Sequence, residues 1–243
     1  MSKGTAVVTG AANGIGQAYA QRLAADGFDI AVADVVDASE TRALIEATGR
    51  KFFSAIVDVT SPNSTMQFAA DVSANMTPVA ALVNNAGIYP WKSFAETDYD
   101  IWRKVVGVNL DGPFLMCKAF VPGMSERKLG RVVNVASSTL WLNAPNMTAY
   151  IASKGGVIGF TRALAAEYGA SGVTVNVIAP GLTDTKTMRG VSEEIFEWLP
   201  KQQAIPRVIQ PSDLVGVVSF LCSADSAFVT GQTLVTDGGQ VRN

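Results

Sequence analysis

The chain contains no histidine and only two cysteines. Without an imidazole there is no Ser–His or Cys–His nucleophile pair, and most zinc-ligand sets are lost too. Cys117 and Cys222 lie far apart in apolar, helix-like stretches and read as reduced core residues. Charge is also scarce: 16% of the 243 residues are charged, the formal net charge is −2, and Lys and Arg are scattered, never more than two in a row. With no basic stripe to follow a phosphate backbone, nucleic acid is excluded as a partner. The sequence shows no basic leader followed by a long apolar core, so a cytoplasmic location is expected. One uncharged run, residues 132–153, is broken by Asn134, Ser137, Ser138, Asn143, Pro145 and Asn146. That is too polar to face lipid, and no membrane association is expected.

What is abundant is apolar bulk, at 48% of residues, enough for a substantial core. Short β-branched runs at 5–9, 29–33, 53–57, 80–83, 131–135, 174–178 and 233–235 predict strands. Between them, segments of helical period predict helices, among them 15–26, 64–74, 101–124, 147–168 and 211–223. Strands that are continuously apolar, alternating with helices, predict a parallel sheet covered on both faces, an α/β doubly wound fold. No linker or compositional break divides residues 1–243, so one domain is expected to hold both cofactor and substrate.

The first predicted strand runs into Thr9-Gly10-Ala11-Ala12-Asn13-Gly14-Ile15-Gly16 and then a helix. Glycines at this spacing allow a tight turn, close backbone approach to a pyrophosphate, and close helix–strand packing. Asp34 follows the second strand, 18 residues after Gly16. A carboxylate there accepts from the ribose hydroxyls and repels a 2′-phosphate, and no Lys or Arg in Ala11–Asn13 counters it. The expected cofactor is therefore NAD.

Tyr150 and Lys154 stand four apart and share a helix face. A neighbouring ammonium and the positive nicotinamide ring are expected to favour the phenolate, making Tyr150 a proton carrier for a substrate oxygen. Ser137, just beyond the strand at 131–135, is placed to donate to that oxygen, although a turn or cap serine is the alternative. Asn109 sits mid-helix, where Asn is unfavourable unless it has a function.

With these residues in hand, the chain resembles the short-chain dehydrogenase/reductase family from residue 4 onward. The resemblance rests on the Thr9–Gly16 turn, Asp58-Val59, Asn84-Asn85-Ala86-Gly87, Asn109, Ser137, Tyr150/Lys154 and Pro180-Gly181, in that order. It implies a single-domain, Rossmann-like sheet of seven parallel strands and a homotetramer. It also implies that Asp58 and Val59 border the adenine, and that Asn85, Ala86 and Gly87 let backbone pass the adenosine. Asn109 would hold a water in a proton relay to Lys154, which would itself hold the nicotinamide ribose. Pro180, Gly181, Thr183 and Thr185 would hold the carboxamide end, with Thr183 departing from the small branched apolar residue usual there.

Segments at 88–94, 139–147 and 182–205 are rich in apolar bulk and are expected to line the substrate pocket, the last as a lid. Trp91, Trp141, Leu142, Met188 and Phe196 are the candidate contacts, together with Ser137. Ordinary core or subunit packing is the alternative for the lid aromatics. Within the family, several stretches resemble phenylethanol dehydrogenase-like secondary alcohol dehydrogenases. Residues 146–164 resemble instead dehydrogenases that oxidise a cyclic hemiacetal to a lactone. The expected reaction interconverts an aryl or cyclic secondary alcohol and its ketone. An NADPH-dependent 3-oxoacyl ketoreductase shares the constellation but conflicts with Asp34, and a non-enzymatic cofactor sensor would be expected to lack Ser137, Tyr150 or Lys154.

Overall fold

The computed structural model describes residues 2–189 and 193–242. Seven parallel strands form one sheet in the order β3-β2-β1-β4-β5-β6-β7. They are β1 (Thr5–Thr9), β2 (Asp29–Asp34), β3 (Phe52–Ile56), β4 (Val79–Asn84), β5 (Gly130–Val135), β6 (Val173–Pro180) and β7 (Thr233–Thr236). Each predicted strand is present, with ends moved by at most a couple of residues. The continuous apolar runs explain why: β1, β5 and β6 are buried at every position, as a sheet covered on both faces requires.

The helices in chain order are α1 (Gly14–Ala25), α2 (Ser39–Glu46), α3 (Pro62–Asn75), α4 (Tyr99–Val106), α5 (Gly112–Glu126), α6 (Thr148–Tyr168), α7 (Lys186–Arg189), α8 (Glu193–Trp198) and α9 (Pro211–Cys222). On one face of the sheet, Val8, Val32 and Val83 pack against Tyr19 and Leu23 of α1 and Leu214 and Leu221 of α9. On the other, Val7, Leu82 and Val132 pack against Phe68 of α3 and Met116, Phe120 and Met124 of α5. Neighbouring positions along a strand thus serve opposite layers. Cys117 and Cys222 are both free and buried.

The helix expected over 101–124 is broken. Between α4 and α5 the chain makes a π-helical turn, Gly107–Asp111, centred on Asn109. A π turn widens the ring and re-aims one side chain, a feature frequent at functional sites. The first helical repeat after β1 and the return through β4 on its other side put the switch of strand order at β1. The crevice outside the carboxyl ends of β1 and β4 is where such sheets bind ligands.

Candidate active site

The turn after β1 is shaped by glycine and held by neighbours. Gly10 and Gly14 have φ of +63° and +60°, in the left-handed region. A Cβ on Gly16 would lie 2.1 Å from the Gly10 carbonyl oxygen, so only glycine lets α1 start this close to the strand. Asn13 caps α1 without a side-chain hydrogen bond to its first turn, leaving those N–H groups to face a ligand. Ile15, partly buried, packs on the core below. These features fit a dinucleotide pyrophosphate.

Around that cradle the other residues take their places. Asp34 Oδ2 accepts from the Ala12 N–H at 2.8 Å, which ties the end of β2 to the turn. Asn85 acts through its side chain and not only its backbone: Nδ2 donates to the Thr9 and Gly10 carbonyls at 3.0 and 2.9 Å. In return, Thr9 Oγ1 accepts from the N–H groups of Asn85 and Ala86 at 3.0 and 2.9 Å. Buried Thr41 donates to the Ala11 carbonyl at 2.8 Å, a clamp that no motif advertised. Asp58 is exposed and accepts from the backbone and hydroxyl of Thr60 at 2.9 and 2.8 Å. Val59 is buried, with its Cγ2 beside Gly112. Pro180 ends β6, Gly181 packs against Asp237 and Ile209, and buried Thr183 donates to the Gly181 carbonyl at 3.0 Å. Thr185 lies across from Gly14, its Cγ2 3.7 Å from where a Gly14 Cβ would stand. The loop after β6 therefore closes over the glycine turn.

Beside the cradle the proton-handling residues meet. Lys154 is buried and its Nζ donates to the Val135 carbonyl at 2.7 Å. Burial lowers its pKa to about 8, because an ammonium out of water is disfavoured. Its Nζ lies 5.8 Å from the Tyr150 ring centroid. Burial also pushes the Tyr150 phenol upward, opposed by a hydrogen bond with Ser137 and reinforced by Tyr89. In the protein without cofactor, desolvation of the phenolate is the dominant influence on Tyr150, and the nearby ammonium is bonded to the Val135 carbonyl. Tyr89 meets Tyr150 edge-on, with ring centroids 6.4 Å apart and planes at 83°.

Ser137 caps the short 3₁₀ turn Ser138–Trp141, the structural role weighed for it, and it also neighbours Tyr150. Asn109, fully buried, accepts from the Ile88 N–H at 2.8 Å and donates to the Ile88 carbonyl at 2.9 Å. It also donates to Ser153 Oγ at 3.1 Å, and Ser153 donates to the Tyr150 carbonyl at 2.7 Å. A Cβ on Gly87 would stand 3.3 Å from Asn109 Oδ1 and 3.4 Å from Lys154 Nζ, so Gly87 keeps that corner open.

The two aromatic loops are joined, Lys92 N–H donating to the Asn146 carbonyl at 2.9 Å. Trp91 and Trp141 are 44% and 40% exposed and Leu142 is half-buried, a surface still partly open to solvent. Met188 and Phe196 are half-buried in α7 and α8. The lid expected over 182–205 includes residues 190–192, which lie outside the described residues. Among the described residues, no helix is long and apolar enough to cross a membrane.

Known proteins are similar to this chain over nearly its whole length. A family model described as enoyl-(acyl carrier protein) reductase matches residues 10–240. A short-chain dehydrogenase/reductase of Armillaria gallica is 39% identical, the alignment covering 97% of this chain and 95% of that protein. The cis-4-hydroxycyclohexanecarboxylate dehydrogenase of Sinomonas cyclohexanicum is 36% identical over 96% of this chain and 95% of its own. A crystal structure from Sinorhizobium meliloti, assigned as a short-chain alcohol dehydrogenase, superposes with a TM-score of 0.94 at 35% identity, covering 99% and 97% of the two chains. Another from Beutenbergia cavernae, assigned as an NAD(P)-dependent gluconate 5-dehydrogenase, holds NADP at low occupancy; it has a TM-score of 0.91, 35% identity, and the same coverage.

Proposed function

Because the chain belongs to the short-chain dehydrogenase/reductase family, we propose that it is an NAD-linked enzyme interconverting a hydrophobic, aryl or cyclic secondary alcohol and its ketone. That it is an oxidoreductase follows from the family; the cofactor and substrate are our reading. The observation that carries it is the meeting of Ser137, Tyr150 and Lys154 beside a glycine cradle whose edge presents Asp34. One domain does both jobs in this reading, in a cytoplasmic homotetramer. The half-exposed Phe114, stacked edge-on with Phe160 of α6 at 6.3 Å, supports an apolar contact between subunits there.

The glycine turn, Asp34, Asn85 and the loop from Pro180 to Thr185 would hold the cofactor, with Lys154 on its nicotinamide ribose. Once bound, a nicotinamide dinucleotide supplies or accepts the hydride at the substrate carbon. Tyr150 Oη holds the proton that the substrate oxygen gains in reduction and gives up in oxidation. Ser137 Oγ donates to the same oxygen as negative charge gathers on it. Lys154, charged below about pH 8, stabilises the phenolate left behind. Since burial favours the protonated phenol, ketone reduction is favoured at lower pH and alcohol oxidation at higher pH. Asp34 supports NAD by accepting from ribose hydroxyls and repelling a 2′-phosphate. Apolar Trp91, Trp141 and Leu142 support a hydrophobic substrate, and the Sinomonas relative acts on a cyclic alcohol by its name.

The test is reduced-cofactor formation, followed by absorbance, on a panel of aryl and cyclic secondary alcohols with NAD and NADP in parallel. Turnover with NAD is expected, and Tyr150→Phe should lower it by about 10²–10⁴-fold, the usual worth of a general acid–base group. Activity confined to sugars or acyl-carrier thioesters would remove the substrate assignment, and equal use of NADP would remove the Asp34 argument.

A further inference from the structure

Ser137 does not stand alone. A serine hydroxyl has one donor and two acceptor positions. Thr139 fills both acceptor positions: its N–H donates to Ser137 Oγ at 3.3 Å and its Oγ1 donates to the same atom at 2.8 Å. The remaining capacity of Ser137 is its own O–H. We infer that Thr139 is a positioning residue that fixes the direction of the Ser137 hydroxyl, obliging it to donate toward Tyr150 and the substrate oxygen.

Thr139 donates to Ser137, which leaves the Ser137 O–H to be given to the neighbouring Tyr150 oxygen. A donor bond to a phenolic oxygen favours the phenolate, the sense in which Ser137 acts on Tyr150. The two-residue spacing makes this possible. Ser137 is extended, at φ −162° and ψ 146°, and the chain then enters the 3₁₀ turn, which folds the Thr139 side chain back onto Ser137. Half-buried Thr139 leaves the pair partly shielded from competing water. Around Tyr150 stand Lys154 on α6, Tyr89 after β4 and Ser137 after β5, and Thr139 donates to Ser137.

This inference rests on the proposed roles of Ser137 and Tyr150, but its test does not need a substrate. The tyrosinate absorbance of the full-length enzyme is titrated in wild type, Thr139→Val, Thr139→Ser and Ser137→Ala, each with a Tyr150→Phe partner to isolate the Tyr150 signal. Thr139→Val keeps the shape and the backbone donor but removes the hydroxyl. It should reduce the acid dissociation constant of Tyr150 about three- to tenfold, the range of one hydrogen bond. Thr139→Ser should restore it to within about twofold. On a Ser137→Ala background, Thr139→Val should add nothing, because its effect passes through Ser137.

An unshifted titration in Thr139→Val overturns the inference. So does an equal shift in Thr139→Ser, or a full additional shift on the Ser137→Ala background, since each makes Thr139 a filler of the turn. Failure of the catalytic reading has a separate signature, full turnover by Tyr150→Phe, whatever the titration shows.

Discussion

Replacing Lys154 by methionine should change the pH dependence of stability in a way that follows from its burial. The unfolded chain holds the lysine proton up to its ordinary value of 10.5, and the folded protein releases it near pH 8. Between those values the unfolded state binds more protons, so this group makes stability rise with pH. Below about pH 8 both states are charged, and the folded state carries the full cost of an ammonium withdrawn from water. The gap corresponds to about 3.4 kcal/mol at 1.36 kcal/mol per pH unit, and about 2.5 kcal/mol of it is recovered between pH 7 and pH 10.

Wild type alone will not display that rise. The thiols of Cys117 and Cys222 are raised by burial from 9.0 to about 12. Their contribution is complete below pH 9 and is lost as pH rises toward 12, which opposes the lysine. The difference between wild type and Lys154→Met cancels the thiols. Methionine also loses the bond to the Val135 carbonyl, a penalty of about 1–3 kcal/mol that does not vary below pH 8. Urea unfolding of both proteins, without cofactor, from pH 7 to pH 10 gives the curve. The wild-type deficit relative to Lys154→Met should shrink by about 2.5 kcal/mol across the range. A constant difference would show that water reaches Nζ and that the ammonium is not desolvated.

Three other substitutions probe the cradle and its supports. Asp34→Arg should move the ratio of kcat/KM values toward NADP by roughly ten- to a hundredfold, the worth of one charge-assisted bond, read by steady-state kinetics with each cofactor. Gly16→Ala forces its Cβ against the Gly10 carbonyl, so it should abolish cofactor binding in a fluorescence titration and lower the melting temperature. Asn109→Ala strands the partly buried N–H and carbonyl of Ile88, a loss of about 2 kcal/mol; calorimetry should show Tm falling by roughly 4–8 °C.

The sheet was legible because its central strands β1, β5 and β6 are buried on both faces and read as unbroken apolar runs. The edges were less so: Ser39–Glu46 is a short helix with only Thr41 and Ile45 buried, and its period is too brief to stand out. The π turn was hidden because residues 107–111 keep a helical pattern, while the extra residue answers to Ile88, 21 positions away. Motif spacing located Tyr150, Lys154, Ser137 and Asp34, since those intervals are set within single elements or by the first βαβ unit. What spacing cannot carry is depth and direction. The upward push on Tyr150 comes from burial, the Asn85 amide gains its partners only when β4 docks beside β1, and the Thr139 hydroxyl turns onto Ser137 through the local backbone turn.

The clamp between Thr9 and Asn85 spans 76 residues and bears on how the enzyme is made. During synthesis the glycine turn leaves the ribosome well before Asn85, and so without the hydrogen bonds that residue gives it. It takes its final shape only when β4 docks on the far side of β1 and Asn85 reaches the Thr9 and Gly10 carbonyls. Until then a nascent chain holds the whole glycine signature yet has no rigid seat for a pyrophosphate. Cofactor capture is thereby deferred until the second half of the sheet begins to assemble.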